Sequence, residues 1–322
     1  MAAVPGRYVI VQRSYAVERA IVVTGLARSG TTLVGKLIHS AHNVEYAFEP
    51  STLRVLFACI RQMDKKIWKM LYATYLYEEI GLNGLAGRSI NTNTHDDSSI
   101  YRSKDPKTVE RRLSKSWRRT ELASMMRDAT LSFKLPNLIE FVPDLLGLFP
   151  ETRIVYVHRD LLSVVASTVR KRWFSDESLR AGFLTPNYSV AGTDLRVPFY
   201  IPEELSKPFV AADEVSRVVA AWAVTARSAA QVSEAIWVDY ARLVEEPNSA
   251  IRSLLEQLDL KGTDRTDTIQ HSIICRSSGM PFSKDQPIDF GIREHFSFEA
   301  RTIGQLEIEL ATRYPAWTGQ RI

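Results

Sequence analysis

Eight residues between a predicted strand and a predicted helix constrain this chain more than any other segment. Residues 25–32 read Gly-Leu-Ala-Arg-Ser-Gly-Thr-Thr, after the apolar run 21–24 and before a helical pattern at 31–41. The spacing G-x-x-x-x-G is that of a Walker A loop, whose backbone N–H groups hold phosphate oxygens at a helix N-terminus. Thr31 stands where the Walker A loop has its lysine. The loop therefore predicts an anion site for a nucleotide whose reacting end is not a γ-phosphate, with Arg28 able to hold a smaller anionic group.

Composition limits the protein classes that this loop can belong to. The 322 residues suffice for one large α/β domain or for two domains, and 45% hydrophobic with 24% charged residues is typical of a soluble globular protein. Lys and Arg exceed Asp and Glu by 41 to 37, which fits an anionic ligand but is too small an excess to predict nucleic-acid binding. Cys59 and Cys275 show no metal or disulfide spacing, so we expect a reducing cytoplasm. We find no signal-peptide pattern and no run as long as a membrane span.

Alternating strand and helix patterns predict an α/β fold: a three-layer, P-loop-like parallel sheet flanked by helices. We predict strands at 21–24, 44–48, 130–134, 153–157 and 236–239. We predict helices at 31–41, 139–148, from Asp160 as N-cap, 213–234 and 249–258. Between them, 51–80 is helical and rich in aromatic residues, 81–99 is a loop, 107–128 is basic and helical, and 174–212 is a long structured loop.

Polar residues follow four of the predicted strands. Right-handed crossovers place the carboxyl ends of parallel strands at one edge, where ligands bind. These ends carry Arg28 in the loop, Glu49, Lys134, and the pair His158 and Arg159. Three cations around an acid suit a ligand with two separated anionic groups and an acceptor that must lose a proton.

At these positions the chain resembles the sulfotransferases that use 3'-phosphoadenosine 5'-phosphosulfate (PAPS). Their 5'-phosphosulfate loop, R/K-S/G-G-T-T, is matched by Arg28-Ser29-Gly30-Thr31-Thr32. Their 3'-phosphate motif, a strand ending in Arg with Ser eight residues later, is matched by Arg159 and Ser167. Weaker matches are Phe133-Lys134-Leu135-Pro136 and the run from Val238 to Leu243. The resemblance covers residues 20–50, 130–172 and 215–260.

The resemblance implies roles for individual residues. The cofactor would be bound by Arg28, Ser29, Gly30, Thr31, Thr32, Arg159 and Ser167, with Arg276 as a candidate from a C-terminal loop. Arg28 and Lys134 would assist catalysis. The loop and its downstream glutamate look most like the bacterial and tyrosylprotein-type branches, in which a glutamate after the second strand is the base, so Glu49 is the predicted base. Two features depart from the cytosolic enzymes: Leu33 replaces an adenine-stacking Trp, and the C-terminal cofactor loop has no clean equivalent.

The implied activity is transfer of a sulfuryl group from PAPS to a hydroxyl or amine of a glycan, lipid or secondary metabolite, leaving 3',5'-bisphosphoadenosine (PAP). Residues 1–322 would form a single domain, with inserts at about 51–127 and 173–212 as an acceptor-binding cap. A sulfuryl group carries less charge than a phosphoryl group, so we expect no metal to be required. Three adjacent residues such as His95-Asp96-Asp97 do not converge easily on an ion. The sequence leaves the acceptor and the oligomeric state open.

Alternatives remain at this stage. A P-loop kinase with an altered loop would bind ATP with Mg²⁺, and an inactive nucleotide-binding module would not need Lys134 or Glu49. Each residue also has a structural role open to it: Ser167 could bond to a preceding carbonyl, Lys134 could lie at the edge of the core, and Glu49 could form a local ion pair. The basic run at 102–119 is most simply a solvated helix face.

Overall fold

A five-stranded parallel sheet forms the centre of the computed structural model, which describes residues 14–184 and 186–279, the last five by backbone alone. The described strands are β1 (Ile21–Thr24), β2 (Val44–Phe48), β3 (Thr130–Lys134), β4 (Arg153–His158), β5 (Asn187–Ser189), β6 (Arg196–Pro198) and β7 (Ile236–Asp239). The sheet order is β2-β3-β1-β4-β7, while β5 and β6 form a separate antiparallel pair. All five predicted sheet strands are confirmed, and the α/β fold with them.

The helices account for most of the remaining chain. They are α1 (Tyr15–Glu18), α2 (Thr31–Ser40), α3 (Ser51–Ala58), α4 (Lys65–Thr74), α5 (Asn83–Leu85), α6 (Pro106–Ser114), α7 (Arg119–Met125), α8 (Val142–Leu148), α9 (Leu161–Val169), α10 (Asp176–Arg180), α11 (Ser206–Ala211), α12 (Glu214–Ala230), α13 (Tyr240–Glu245), α14 (Pro247–Gln257) and α15 (Asp264–Gly279). A π-helix spans Tyr75–Leu82, and 3-10 turns lie at Ile100–Arg102, Ile139–Phe141 and Glu203–Leu205.

Helices cover both faces of the sheet because successive strand residues point to opposite faces. In β1, Ile21 and Val23 pack in one apolar cluster with residues of α2, α13, α14 and α15. Val22 packs in a second cluster with residues of α3, α4, α9 and α12. The strands are buried on both faces, which explains their nearly continuous apolar sequences.

The position of β3 in the sheet decides the geometry of the site. β3 lies between β1 and β2 and is hydrogen-bonded to both. Phe48 is opposite Lys134 in this register, so the residue that follows β2 lies beside the last residue of β3. The order was not predicted from sequence, because β3 is separated from β2 by more than eighty residues.

The structure corrects two predicted loops. Helical structure extends through Leu85, so the loop predicted at 81–99 begins later. The segment 174–212 is not only loop, since it contains α10, the β5–β6 hairpin and α11. Its irregular sequence hid these elements because each is six residues or shorter, too short for a periodic pattern to be recognised.

Candidate active site

The predicted phosphate loop joins β1 to α2, and its two glycines are required by shape. Gly25 and Gly30 have φ angles of 151° and 97°. A Cβ on Gly30 would lie 2.1 Å from the ring of Tyr240, and one on Gly25 would lie 2.4 Å from the carbonyl oxygen of Val157. The loop therefore fits closely against the ends of β4 and β7, where only glycine can be accommodated.

Asn137, just after β3, holds the loop backbone in place. Its Oδ1 accepts a hydrogen bond from the N–H of Ala27 at 3.0 Å, and its own N–H donates to the carbonyl oxygen of Gly25 at 2.9 Å. Gly30 caps α2 without a side chain that could accept the first helical N–H groups. These N–H groups have no intrahelical partner, so they form an anion cradle.

Two arginines and a serine converge on one side of the loop. Arg28 Nε donates to Ser167 Oγ in α9 at 3.0 Å, and Arg159 Nη1 donates to the carbonyl oxygen of Arg28 at 3.1 Å. The guanidinium of Arg28 lies 5.5 Å from the ring of Trp173, and that of Arg159 lies 4.6 Å from the ring of Tyr240. Ser167 therefore accepts from Arg28, whereas sequence alone left open a bond to a preceding carbonyl.

Lys134 and Glu49 form an ion pair on the other side of the loop. Lys134 Nζ donates to Glu49 Oε1 in a short hydrogen bond and to Thr32 Oγ1 at 3.1 Å. The β2–β3 register produces this pair, because the N–H of Glu49 donates to the carbonyl oxygen of Lys134 at 2.9 Å. Only 2% of the Lys134 side chain is exposed, against 33% for Glu49. The sheet edge thus joins a buried ammonium to a carboxylate that solvent can reach.

Glu49 is held from a second direction by Arg54 of α3. Arg54 Nη2 donates to Glu49 Oε2 at 3.2 Å, so each carboxylate oxygen has a cationic partner. Glu49 has a φ of 45°, a left-handed conformation that is uncommon outside glycine and frequent at functional sites. Each oxygen of a carboxylate has two lone pairs, so these contacts leave capacity to accept a further proton.

Burial and the ion pair with Glu49 shift the pKa of Lys134 in opposite directions. Desolvation is the largest effect and lowers the pKa of its ammonium below the ordinary value, while the charge and the hydrogen bond of Glu49 raise it. Glu49 therefore favours the charged form of Lys134 in its buried position.

The structure brings most predicted site residues to one sheet edge. Ser29, Gly30, Thr31 and Thr32 form the turn into α2, with the two clusters described above on either side. Arg276 lies in α15, but its side chain is outside the described part of the chain. The structure thus adds no information on its predicted cofactor contact.

Four residues that contact the site received no role in the sequence analysis: Arg54, Asn137, Trp173 and Tyr240, the last of which lies in the matched run from Val238 to Leu243. Asn137 directly follows the matched run 133–136, and Arg54 lies just over one helical turn beyond Glu49, so both positions could have been flagged. Trp173 and Tyr240 contact the arginines through their rings, and no spacing rule predicts such a contact between distant elements.

A cavity of about 280 Å³ lies along the free edge of β2. It is lined by residues of β2, the π-helix and residues 89–100, together with His39 and Arg112. Its described lining includes residues of the first predicted insert, 51–127, and none of the second, 173–212. Phe48 and Pro50, which flank Glu49, are part of its wall.

Two kinds of feature are absent from the described residues. In residues 14–184 and 186–274, no three His, Cys, Asp or Glu side chains are grouped so as to hold a metal ion. None of the helices described is both long and apolar enough to cross a membrane.

An anion cradle flanked by cations, at the carboxyl edge of a parallel sheet, defines an α/β protein with a preformed anion site. A model of the sulfotransferase family matches residues 20–264, so the chain belongs to the sulfotransferase family. The branch that its motifs resemble stays a prediction.

The chain is similar to several solved sulfotransferase structures. The sulfotransferase domain of the Synechococcus PCC 7002 olefin synthase has 12% identity over 77% of this chain and 75% of that chain, with a TM-score of 0.42. The sulfotransferase domain from the curacin biosynthetic pathway has 12% identity over 77% and 76%, with a TM-score of 0.39. Sulfotransferase STF9 from Mycobacterium avium has 15% identity over 85% and 69%, with a TM-score of 0.40. No curated protein matches the chain.

Proposed function

We propose that the protein transfers a sulfuryl group from PAPS to a hydroxyl or amine of a small molecule, lipid or glycan. Membership of the sulfotransferase family supports the reaction class. The single observation that favours PAPS is the presence of two cationic clusters on opposite sides of one glycine-rich turn. PAPS carries two separated anionic groups, and the cations on the two sides of the turn suffice to hold both of them.

The residues present fit this cofactor. The loop N–H groups and Arg28 would bind the 5'-phosphosulfate, because the first N–H groups of α2 have no side-chain cap at Gly30. Arg159 and Ser167 would bind the 3'-phosphate, because they lie beyond Arg28 on the side away from Lys134. Charge-assisted hydrogen bonds from a guanidinium are about twice as strong as neutral ones, so Arg159 is the stronger of the two anchors.

Bound PAPS would supply the sulfuryl group, with PAP as its leaving group. A bond then forms between sulfur and the acceptor oxygen or nitrogen, and the bond from sulfur to the 5'-phosphate oxygen breaks. Lys134, Arg28 and the loop N–H groups stabilise the negative charge that develops on that oxygen. Glu49 accepts the acceptor's proton through the exposed part of its carboxylate.

The ion pair gives Lys134 and Glu49 linked roles. In the described structure Lys134 binds both Glu49 and Thr32, the last residue of the loop motif. An anion in the cradle would compete with Glu49 for the ammonium, which would free one of the two carboxylate oxygens to accept a proton. Cofactor binding would thus prepare the base for the acceptor.

The remaining parts of the proposal rest on sequence. We propose one domain over 1–322, with inserts at about 51–127 and 173–212 forming the acceptor-binding region, of which the first lines the cavity beside β2. We also propose a cytoplasmic location and no metal requirement. Family membership makes a P-loop kinase the weaker alternative.

Transfer of label tests this proposal. The protein is incubated with PAPS carrying ³⁵S and with a mixture of phenols, alcohols, amines and oligosaccharides, with and without EDTA. We expect labelled product in both conditions. Failure of every acceptor class to take label, while ATP labelled in its γ-phosphate supports transfer with Mg²⁺, would contradict the proposal.

A further inference from the structure

The cavity along β2 has a wall in which polar and apolar surface are present in similar amounts. Ile80, Ile90 and Ile100 face it together with Tyr46, Phe48 and Tyr75. This apolar part of the wall favours contact with a ring or an alkyl body, because apolar contact releases water from both partners.

Arg112, which lines this cavity, is already paired. Arg112 donates to both oxygens of Glu45, at 2.8 and 2.6 Å, and also to the carbonyl oxygen of Gly84 at 3.1 Å. Two nearby lysines have partners outside the cavity: Lys104 donates to the carbonyl oxygen of Ala41, and Lys36 pairs with Asp97. Among the described lining residues, then, no cation is available to an anionic ligand.

Neutral polar groups lie at one end of the cavity. His39 is 6% exposed, and its Nδ1 is hydrogen-bonded to Ser103 Oγ at 2.7 Å, which leaves Nε2 as the ring nitrogen available to a ligand. Burial, together with Lys104 and Arg112, lowers the pKa of His39 well below the ordinary value, so the ring is neutral at pH 7. Asn91 and Ser98 also line the cavity and bond to each other at 2.7 Å. This end can recognise a hydroxyl or an amide without any charge.

The π-helix Tyr75–Leu82 is a second, independent indication of a ligand site. Long π-helical stretches are rare, and they occur frequently at functional sites. This one turns Tyr75, Glu79 and Ile80 toward the cavity. Glu79 lies at the surface and accepts a hydrogen bond from Asn83. Its negative charge on the exposed side of the cavity would oppose an incoming anion.

Phe48 connects the cavity to the reaction centre. Its ring lines the cavity, and Lys134 Nζ lies 4.1 Å from the centroid of the same ring. Lys134 in turn binds Glu49, the proposed base. Phe48 and Pro50 flank Glu49 in the chain, so the part of the cavity that they line is the part next to the proposed base.

We propose that this cavity binds the body of the acceptor, and that the acceptor is an uncharged molecule with an apolar ring or chain, a hydroxyl at the Glu49 end and a second neutral polar group at the His39 end. Anionic acceptors, such as carboxylated or already sulfated molecules, are excluded by the paired cations and by Glu79. The identification of the occupant as the acceptor rests on the proposed sulfuryl transfer. The uncharged character of the occupant is independent of that proposal.

Two probes of nearly equal shape test the charge preference. 4-Hydroxybenzamide is neutral and 4-hydroxybenzoate is anionic, and their binding to the cofactor-free protein is measured by NMR titration. We expect the amide to bind about tenfold or more tightly than the carboxylate, because the carboxylate would lose hydration without gaining a cation.

Variants locate the binding. Ala47→Leu fills the cavity from β2, and Ser89→Trp fills it from an exposed loop position, where a folding defect is not expected. Each should weaken binding of the amide by about tenfold or more, which corresponds to at least 1.4 kcal/mol. Thr92→Trp is the matched control, since Thr92 is exposed on the same loop and does not line the cavity. The affinity of this variant for the amide should stay within about twofold of the wild-type value, a change of less than about 0.5 kcal/mol.

The outcomes separate this inference from the proposed function. Equal or tighter binding of 4-hydroxybenzoate, no binding of 4-hydroxybenzamide, or binding unaffected by both filling variants would overturn the inference, with PAPS use untouched. With ³⁵S-labelled PAPS, the filling variants should raise KM for the amide while PAP affinity is unchanged. Binding of the amide in the cavity without any transfer to it by an enzyme that sulfates other acceptors would show that the cavity is not the acceptor site.

Discussion

Replacing Glu49 by Gln removes a proton acceptor and keeps the side-chain shape. In the native chain, Glu49 Oε1 accepts from Lys134 and Oε2 accepts from Arg54. The amide of Gln retains one oxygen, so one of these cations keeps a partner and the other faces an N–H₂ group. The substitution therefore affects the ion pair, the base and the charge of Lys134 at the same time, and each effect has its own measurement.

The cost in stability is moderate because Glu49 is partly exposed. Breaking a fully buried ion pair from one side costs about 3 to 5 kcal/mol. Here one partner is 33% exposed and the variant still offers an acceptor, so screening reduces the cost. We expect a loss of about 1 to 3 kcal/mol in unfolding free energy, which lowers Tm by several degrees.

The effect on rate is larger than the effect on cofactor binding. General-base catalysis contributes about 10² to 10⁴-fold, so kcat of Glu49→Gln should fall by about 10² or more. Cofactor affinity at pH 7 should stay within a few-fold, because the loop, Arg28 and Arg159 are intact.

Lys134 provides an alkaline signature of the same substitution. Burial lowers its pKa, and Glu49 raises it through charge and a hydrogen bond. Without the carboxylate the pKa of Lys134 falls further, so the ammonium loses its proton at a lower pH. The alkaline decline in PAP affinity, followed by calorimetry, should therefore begin at lower pH in Glu49→Gln than in wild type.

Glu140→Gln is the matched control for these measurements. Glu140 pairs with Arg61 at 2.8 Å and is 23% exposed, yet its pair involves neither the loop nor Lys134. It should lose less stability than Glu49→Gln, because Arg61 is 47% exposed, while kcat and the alkaline decline in PAP affinity stay as in wild type. Near-wild-type turnover by Glu49→Gln with a true acceptor would mean that another group is the base.

Two further predictions concern the second anchor and a buried lysine. Arg159→Ala should weaken PAP binding more than Ser167→Ala, by about 1.5 to 3 against about 1 kcal/mol, and both should reduce the preference for PAP over adenosine 5'-monophosphate in calorimetry; an unchanged preference would exclude a 3'-phosphate role. For Lys104, burial lowers the pKa to about 8 from 10.5, so the folded protein binds fewer protons than the unfolded chain between these values. Urea titrations at about pH 8 and about pH 10.5 give the unfolding free energies of the wild type and of Lys104→Met. Between these pH values the difference should shift in favour of the wild type by about 3 kcal/mol, and an unchanged difference would contradict the lowered pKa of Lys104.

The predictability of the fold differed between regular and irregular segments. The sheet strands were predicted because each is a short apolar run bounded by turn residues, and Asp160 was predicted as an N-cap and accepts from the N–H of Ser163 at 2.8 Å. The hairpin of β5 and β6 was missed because three-residue strands carry no recognisable alternation. The position of β3 between β1 and β2 is a long-range pairing, which local patterns do not encode.

The candidate site, like the fold, was predicted from sequence only in part. Motif spacing predicted that Arg28, Lys134 and Glu49 would share one edge, since parallel strands place their carboxyl ends together. That Lys134 binds Glu49 follows from the β2–β3 register and was not predicted. Arg54 and Asn137 act through contacts with other elements, and such contacts depend on packing angles that sequence spacing does not determine.

The choice between a PAPS-type cofactor and a triphosphate can be measured by thermal unfolding with two ligands. PAP at 100 times its Kd should add about 2.7 kcal/mol to the unfolding free energy, a rise in Tm of several degrees. ATP with Mg²⁺ should give a smaller rise or none, because the loop has Thr31 in place of the lysine that contacts the β- and γ-phosphates. A rise with Mg-ATP equal to or larger than that with PAP would contradict PAPS as the cofactor and favour a kinase.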